Sequence, residues 1–137
     1  MKYQLDKIVD GLDEDSPVAI PIQIANVISA MVAGGMYVPG DRIPGQRAVI
    51  DAGISAWVWE KAQRLLAFDD VIIQERTQPY RIAPAGVEAA KARIDRVFKR
   101  QIDELAVLVH YSGYDEARIG DRFITRCDGL TKKRMES

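Results

Sequence analysis

The chain contains 137 residues, of which 47% are hydrophobic and 28% are charged, and its formal net charge is −1. This length fits one domain, or a small domain with a helical extension, and argues against a multidomain enzyme. The balance of apolar and charged residues is typical of a folded globular protein. The single cysteine, Cys127, excludes an internal disulfide, and the single histidine, His110, forms no cluster with metal-ligand spacing. We therefore expect no metal ion and no organic cofactor.

The sequence indicates neither a membrane protein nor an enzyme. Its most apolar segment, residues 17–36, is interrupted by Pro21, Gln23 and Asn26, so it is not a clean membrane span. The N-terminus lacks the basic, apolar and small-residue order of a secretory signal, which leads us to expect a cytoplasmic protein. No convergent set of acid, base and nucleophile and no glycine-rich phosphate loop is present, so we expect no catalytic activity.

Two helices are predicted in the N-terminal third of the chain. The longer one follows Pro21 and ends at the paired glycines 34–35. The shorter one precedes the acidic run 13–15 and has apolar residues at helical spacing, namely Leu5, Ile8, Val9 and Leu12. The longer helix has one apolar stripe, made of Ile24, Val27, Ile28, Met31 and Val32.

Two further helices are predicted after an extended run at 36–38 and a turn at 39–40. A short helix over 45–52 would use Val49 and Ile50 as its apolar contacts. Counted from the helix that follows Pro21, the third helix begins at the N-cap Ser55 and ends at about Phe68. Its inward-facing residues are Val58, Trp59, Ala62, Leu65 and Leu66. Its opposite face carries Trp57, Glu60, Lys61 and Arg64.

A β-hairpin is predicted after the third helix. The β-branched run 71–73 and the segment 80–82 are candidate strands, and 77–79 is the loop between them. Helix, short helix, helix and hairpin is the order of elements in a winged helix-turn-helix. The sequence therefore predicts a mainly α fold with a small β-hairpin wing.

The last third of the chain predicts two more helices. A long helix over 86–111 ends at Ser112-Gly113, and Asp115 can cap a shorter helix that follows it. One apolar row of the long helix consists of Ile94, Phe98, Ile102, Leu105 and Val109. The stripe of the short helix includes Ile119, Phe123, Ile124 and Cys127, of which we expect Cys127 to be an apolar packing residue.

Two expectations follow from the apolar row of the long helix. The row is too long for the short last helix alone to cover, so we expect a homodimer through these two helices. Its predicted contacts are Ile94, Phe98, Ile102, Leu105, Val109, Ile119 and Phe123. Two helices enclose little volume beyond their own interface, so we expect no pocket of ligand size, about 300 Å³ or more, in this part of the chain.

The segment 20–44 resembles the start of the DNA-binding domain of GntR-family transcription regulators. Its runs IPIQI and GMYVPGDRIP stand where that family has PIYxQI and GxLxPGDRLPS. The agreement continues through Arg47, GIS at 53–55 and VI at 71–72, with one residue fewer between Arg47 and Gly53. The C-terminal helices are similar to the two-helix dimerisation extension of the short YtrA-type members.

This resemblance implies that the third helix enters the major groove of DNA and that the wing contacts the minor groove or the backbone. It places Arg47 and Ser55 at DNA-contact positions, with Arg42 beside them. The residues expected at the DNA are Arg42, Arg47, Ser55, Ala56, Trp57, Glu60, Lys61, Arg64, Arg76 and Gln78.

The chain departs from the family pattern at several of these positions. Ala56 and Glu60 occupy the two positions where the family usually has recognition-helix arginines. Alanine cannot donate a hydrogen bond, and a carboxylate is repelled by DNA phosphates unless it accepts from a cytosine amino group. The wing has Arg76-Thr77-Gln78-Pro79 where family members often have glycines, and Gly45 replaces a capping serine.

The sequence thus divides into a winged helix-turn-helix domain at 1–84 with an N-terminal extension at 1–16, a dimerisation extension at 85–128, and a flexible tail at 129–137. Our first hypothesis is a dimeric transcription repressor that binds double-stranded DNA at a two-fold symmetric operator. Our alternative is an interaction module in which the third helix binds a protein. Positive potential on the exposed face of that helix favours DNA, and an apolar patch favours a protein partner.

Single residues also have alternative interpretations. Trp57 is equally a candidate base contact or a partner-facing, partly buried aromatic residue. Lys61 and Arg64 are candidates for phosphate binding or for a solvated helix face. Arg47, the leading candidate for a DNA contact, could instead form a salt bridge within the domain.

Overall fold

A computed structural model describes residues 4–136, except for the side chains of residues 134 and 136. The described residues form α1 (Leu5–Asp10), α2 (Ile20–Ala33), α3 (Gln46–Asp51), α4 (Ala56–Phe68), β1 (Ile72–Ile73), β2 (Arg81–Ile82), α5 (Gly86–Ser112) and α6 (Glu116–Glu136). The mainly helical fold class with a small hairpin is confirmed. The chain divides into two compact units, an N-terminal unit that ends at Val97 and a C-terminal unit that begins at Phe98.

The core of the N-terminal unit forms where the apolar stripes of α2 and α4 meet. Ile24 and Ile28 of α2 and Trp59 and Leu66 of α4 are completely buried in one cluster. Burial of each such side chain contributes roughly 1.5–3 kcal/mol to the free energy of folding. The prediction for α3 is half right, because Val49 is buried whereas the Ile50 side chain is 46% exposed.

Ser55 starts α4 as its N-cap. Its hydroxyl oxygen accepts a hydrogen bond from the Val58 N–H at 3.2 Å, which satisfies one of the amides that have no partner within the helix. We therefore expect Ser55→Ala to lower the free energy of unfolding by about 1 kcal/mol. Urea denaturation of the purified protein measures this loss. Ser55→Asn keeps a capping oxygen and should restore most of the stability, and equal losses in the two variants would contradict the capping role.

The wing is a small antiparallel sheet. Ile72 of β1 lies opposite Ile82 of β2, and Ile73 lies opposite Arg81. The chain just before α3 joins this sheet, because the Gly40 N–H donates to the Ile82 carbonyl and the Ile82 N–H donates to the Asp41 carbonyl, each at 2.9 Å. The sequence predicted an extended run at 36–38, but the pairing with β2 falls later, at 40–42, and begins at the second residue of the turn at 39–40.

The Tyr37 side chain, which precedes this turn, is buried, and the pKa of its phenol is raised. The Tyr37 side chain is completely enclosed in the core of the N-terminal unit. Burial, followed by the nearby carboxylates of Asp41 and Asp6, raises the pKa of the Tyr37 phenol well above its ordinary value. The segment that leads into the helix-turn-helix is therefore anchored by a buried aromatic side chain.

The C-terminal unit contains the end of α5 and all of α6. Gly113, with φ of +71°, and Asp115 separate the two helices, and the Asp115 carboxylate accepts from the Ala117 N–H at 3.0 Å. The last helix continues to Glu136, and so extends through residues 129–136, which the sequence predicted to be part of a flexible tail. Residue 137 lies outside the described residues. The predicted end of the DNA-binding domain at residue 84 remains a prediction, while α5 up to Val97 belongs to the N-terminal unit.

Candidate nucleic-acid interface

The two helices α3 and α4 are joined by a short turn over 52–55, which makes them a helix-turn-helix. Gly53 has φ of +96°, a conformation that residues with a side chain rarely adopt. Ile54 is buried beside it, and its N–H donates to the Val49 carbonyl at 3.2 Å. This turn therefore fixes how the first residues of α4 follow α3.

The exposed face of α4 is mixed in character. The Trp57 side chain is 64% exposed, and the Lys61 ammonium lies 5.2 Å from the centre of its ring, within the range of a cation–π contact. The Phe68 side chain, at the end of the helix, is 86% exposed. The sequence analysis predicted Phe68 as the last residue of the helix and did not identify it as part of the exposed surface. A shallow groove of about 450 Å³ follows this face and is lined by Trp57, Glu60, Lys61, Arg64, Leu65 and Phe68.

The charges on α4 do not sum to a strongly basic surface. Lys61 and Arg64 are exposed there together with Glu60. Among the side chains that the structure describes, no basic group forms a salt bridge with Glu60. Its carboxylate is therefore free to interact with a partner of the α4 face, either repelling phosphate or accepting a hydrogen bond.

The predicted residues before α4, and Ala56 as its first residue, occupy different positions. Arg42 is exposed, and its backbone pairs with that of Arg81 in the wing. Arg47 is exposed on α3 and forms no salt bridge with the side chains described between residues 4 and 136, so the proposed alternative of an internal ion pair is not observed. Ser55 is occupied as the N-cap of α4, and Ala56 is half-buried.

The wing residues predicted at the DNA lie in the exposed turn between β1 and β2. Arg76 has φ of +56°, which costs a non-glycine residue roughly 1–2 kcal/mol. The turn is closed by a hydrogen bond from the Gln78 N–H to the Glu75 carbonyl and by another from the Gln74 side chain to the Gln78 carbonyl, both at 3.0 Å. Arg76 and Gln78 are both exposed and available to a partner.

The residues predicted for dimerisation lie along α5 and α6. Ile94 belongs to the N-terminal unit and is half-buried, as are Val109 and Ile119 in the C-terminal unit. Four others are exposed, namely Phe98, Ile102, Leu105 and Phe123. None of the side chains described from residue 98 onward is buried. Cys127 is exposed as well, so its predicted role as a packing residue is not observed in a single chain.

An open groove lies at the corner between α5 and α6. Its volume is about 710 Å³, and its lining includes Ile102, Leu105, Val109, Tyr114 and Ile119. The prediction that these two helices leave no space of ligand size is therefore wrong for a single chain. The reason is that the apolar residues of the two helices do not cover one another.

Two kinds of feature are absent from residues 4–136. No helix in this range is both long and apolar enough to cross a membrane. No cluster of three or more histidine, cysteine or acidic residues that could hold a metal ion occurs in the same range.

The helix-turn-helix of α3 and α4, followed by the β1–β2 hairpin, defines a winged helix-turn-helix protein. No protein-family model matches the chain, and no curated protein matches its sequence. Among solved structures, it is similar to a GntR-family transcriptional regulator from Listeria monocytogenes, with a TM-score of 0.61, 16% identity, and coverage of 83% of this chain and 98% of that one.

Two other solved structures extend this comparison. A transcriptional antiterminator from Listeria monocytogenes EGD-e has a TM-score of 0.61 and 20% identity, with coverage of 85% of this chain and 87% of that one. YtrA from Sulfolobus acidocaldarius, a GntR-family transcription factor, has a TM-score of 0.50 and 24% identity, with coverage of 66% and 94%. The chain thus has the GntR-type winged-helix fold, and the resemblance found in its sequence is confirmed at the level of the fold.

Proposed function

We propose that this chain is a GntR-family DNA-binding transcription regulator of the YtrA-like type. It acts by binding and not by catalysis, as a cytoplasmic homodimer that represses transcription at a two-fold symmetric operator. The main observation in support of the proposal is that α4 exposes Lys61 and Arg64 in a fold that is similar to that of a GntR-family regulator. Arg47 on α3 and Arg76 on the wing are exposed cations on the two flanking elements.

In the proposed complex, the N-terminal residues of α4 approach base edges in the major groove, as recognition helices of this motif do. The exposed residues there are Trp57 and Glu60, and they suit a thymine methyl group and a cytosine amino group respectively. Lys61, Arg64 and the flanking arginines bind phosphates, which fixes the register of the protein on the duplex. Two such helices in a dimer would contact half-sites about 34 Å apart.

The role of Arg47 can be tested by its contribution to salt-dependent binding. We expect Arg47→Ala to reduce the slope of log affinity against log salt by about one unit, because one phosphate contact is lost. Gel-shift titrations with the DNA upstream of the protein's own gene, over a series of salt concentrations, measure this slope. Arg100→Ala, which removes an exposed arginine from the C-terminal unit, should leave the slope unchanged, and equal slopes for all three proteins would argue against Arg47 as a contact.

A second candidate function is supported by the aromatic residues on α4. Trp57 and Phe68 are both exposed and both line the groove on α4. Aromatic side chains are enriched in protein interfaces. In this case the helix-turn-helix would bind a protein partner in place of DNA. The same gel-shift titrations separate the two functions, since a protein-binding module would shift no duplex even at low salt.

A further inference from the structure

Two arginines, Arg42 and Arg81, lie opposite each other on neighbouring segments of the wing sheet. Arg42 forms an isolated antiparallel bridge with Arg81 of β2, next to the hydrogen bond from the Ile82 N–H to the Asp41 carbonyl. Residues that lie directly opposite each other in an antiparallel pair have their Cβ atoms about 4.5–5.5 Å apart, on the same face of the sheet. The side chains of Arg42 and Arg81 therefore leave the wing side by side on one face.

This face of the wing is turned to solvent. Ile73 of β1 also lies opposite Arg81, so one row crosses the sheet from Ile73 through Arg81 to Arg42. Ile73 is 43% exposed, Arg42 is exposed and Arg81 is half-buried. By contrast, Ile72 and Ile82, which point to the opposite face of the sheet, are buried in the core. Both arginines are therefore accessible to a partner from outside the domain.

The Arg81 guanidinium is held beside the segment of chain that carries Arg42. One of its terminal nitrogens donates to the Gly40 carbonyl at 2.9 Å, two residues before Arg42. A guanidinium group has several N–H donors, so the others of Arg81 remain available to a ligand. Because this hydrogen bond already restricts the long side chain, less conformational freedom is lost when Arg81 binds a ligand.

The positive charges of this pair are not neutralised by the part of the chain that the structure describes. No acidic side chain described between residues 4 and 136 forms a salt bridge with Arg42 or Arg81. The carboxylate of Asp41, which precedes Arg42, instead accepts a hydrogen bond from the Val38 N–H at 2.9 Å. Like charges directly opposite each other destabilise a sheet, and an anion between two guanidinium groups removes the repulsion and accepts hydrogen bonds from both. The pair is therefore suited to bind one anionic group.

We propose that Arg42 and Arg81 together bind one phosphate group of the DNA backbone. This inference rests on the proposed function, because it takes the anion from a DNA duplex. Guanidinium groups match the geometry of phosphate oxygens and bind them through parallel hydrogen bonds. Ile73, in the same row, offers an apolar contact to a neighbouring sugar, which favours a phosphodiester over a free phosphate ion. Arg81 is thus a DNA contact that the local sequence does not indicate, because the pairing of distant segments brings it to Arg42.

The test removes the charge of one DNA phosphate at a time. An operator is selected from random duplexes with wild-type protein, and a series of operators is made, each with a single uncharged methylphosphonate linkage. In gel-shift titrations, wild type should bind roughly tenfold more weakly wherever the linkage replaces a contacted phosphate. Arg42→Gln and Arg81→Gln should both reduce this penalty to about threefold or less at one and the same linkage of each half-site, and the double variant should remove it there.

The matched control is Arg100→Gln, which removes the same charge from an exposed residue of the C-terminal unit. It should keep the wild-type penalty at every linkage. Arg81→Gln also removes the hydrogen bond to the Gly40 carbonyl, so its folding has to be checked. If it does not fold, Arg81→Lys takes its place, because lysine keeps a cation but cannot bind phosphate as a planar fork. Its penalty should then fall at the linkage that Arg42→Gln identifies.

Several outcomes overturn the inference. If the Arg42 and Arg81 variants act at different linkages, or if only one of them acts, the two arginines do not share a phosphate. If neither changes the penalty at any linkage, the pair does not contact the backbone, and an equal change at all linkages shows a general structural role. In each of these cases wild type still binds DNA, so the proposed function stands. If wild-type protein selects no DNA, the proposed function itself fails and this inference falls with it.

Discussion

Glu60→Arg should increase affinity for non-specific duplex DNA by about tenfold or more at low salt. The substitution removes a carboxylate that no basic side chain neutralises in residues 4–136, and it introduces a cation on the exposed face of α4. Repulsion of phosphates is replaced by attraction, and a donor suited to base edges becomes available. Gel-shift titrations with non-specific duplex measure the change in phosphate attraction, and titrations with an operator selected by wild-type protein from random duplexes measure the change at base edges.

The control for this prediction is Glu104→Arg, which makes the same change of net charge on an exposed residue of the C-terminal unit. It should alter binding much less, because the effect of Glu60→Arg depends on its position on α4. If Glu60→Arg binds non-specific duplex more tightly but the operator more weakly, Glu60 accepts a hydrogen bond from a base and sets specificity. If neither wild type nor Glu60→Arg binds any duplex at low salt, the protein-binding function replaces the DNA-binding one.

Ile102→Glu should convert the expected dimer into a monomer. The Ile102 side chain is 64% exposed in a single chain, so a carboxylate there costs little in a monomer. In a dimer that covers this residue, the carboxylate would be buried without a partner, which should weaken association by at least about a hundredfold. Sedimentation velocity at micromolar protein concentrations measures the shift from dimer to monomer.

Arg100→Glu is the control for this second prediction. Arg100 lies two residues before Ile102 and therefore on nearly the opposite side of α5, on its charged face. A carboxylate there should leave the dimer intact. Sedimentation of Ile102→Glu as a dimer, or of wild type as a monomer, would show that the apolar row of α5 is not the interface.

Periodicity was enough to predict the main helices and the surface of the candidate interface. The apolar spacing in α2 and α4 reflects a core that both helices line, so the same pattern also identified the exposed side of α4 with Lys61 and Arg64. The N-cap Ser55 was predictable for a similar reason, because capping is a local interaction with the Val58 amide. Such features depend on neighbours only a few residues apart.

Features that depend on distant partners could not be predicted in the same way. The strand-like pairing of 40–42 depends on β2. Ile50 is exposed because adjacent residues of a helix point about 100° apart, so Ile50 turns away from the core that Val49 faces. The Arg93 guanidinium contacts the side chain of Asp69, which is 24 positions away, and that of Asn26, which is 67 positions away. Nothing in the local sequence around Arg93 indicates these contacts. The groove at the corner of α5 and α6 arises because their apolar residues remain uncovered.

Since none of the side chains described from residue 98 onward is buried, assembly of the regulator should depend on the concentration of the protein in the cell. In the proposed dimer, the apolar surface that stabilises this unit is covered only when two chains associate, so its stability follows mass action. While most chains are single, the concentration of dimer then rises with the square of the total protein concentration. A modest change in expression near the dissociation constant would produce a larger change in operator occupancy, which gives the regulator a dosage threshold without any small-molecule signal.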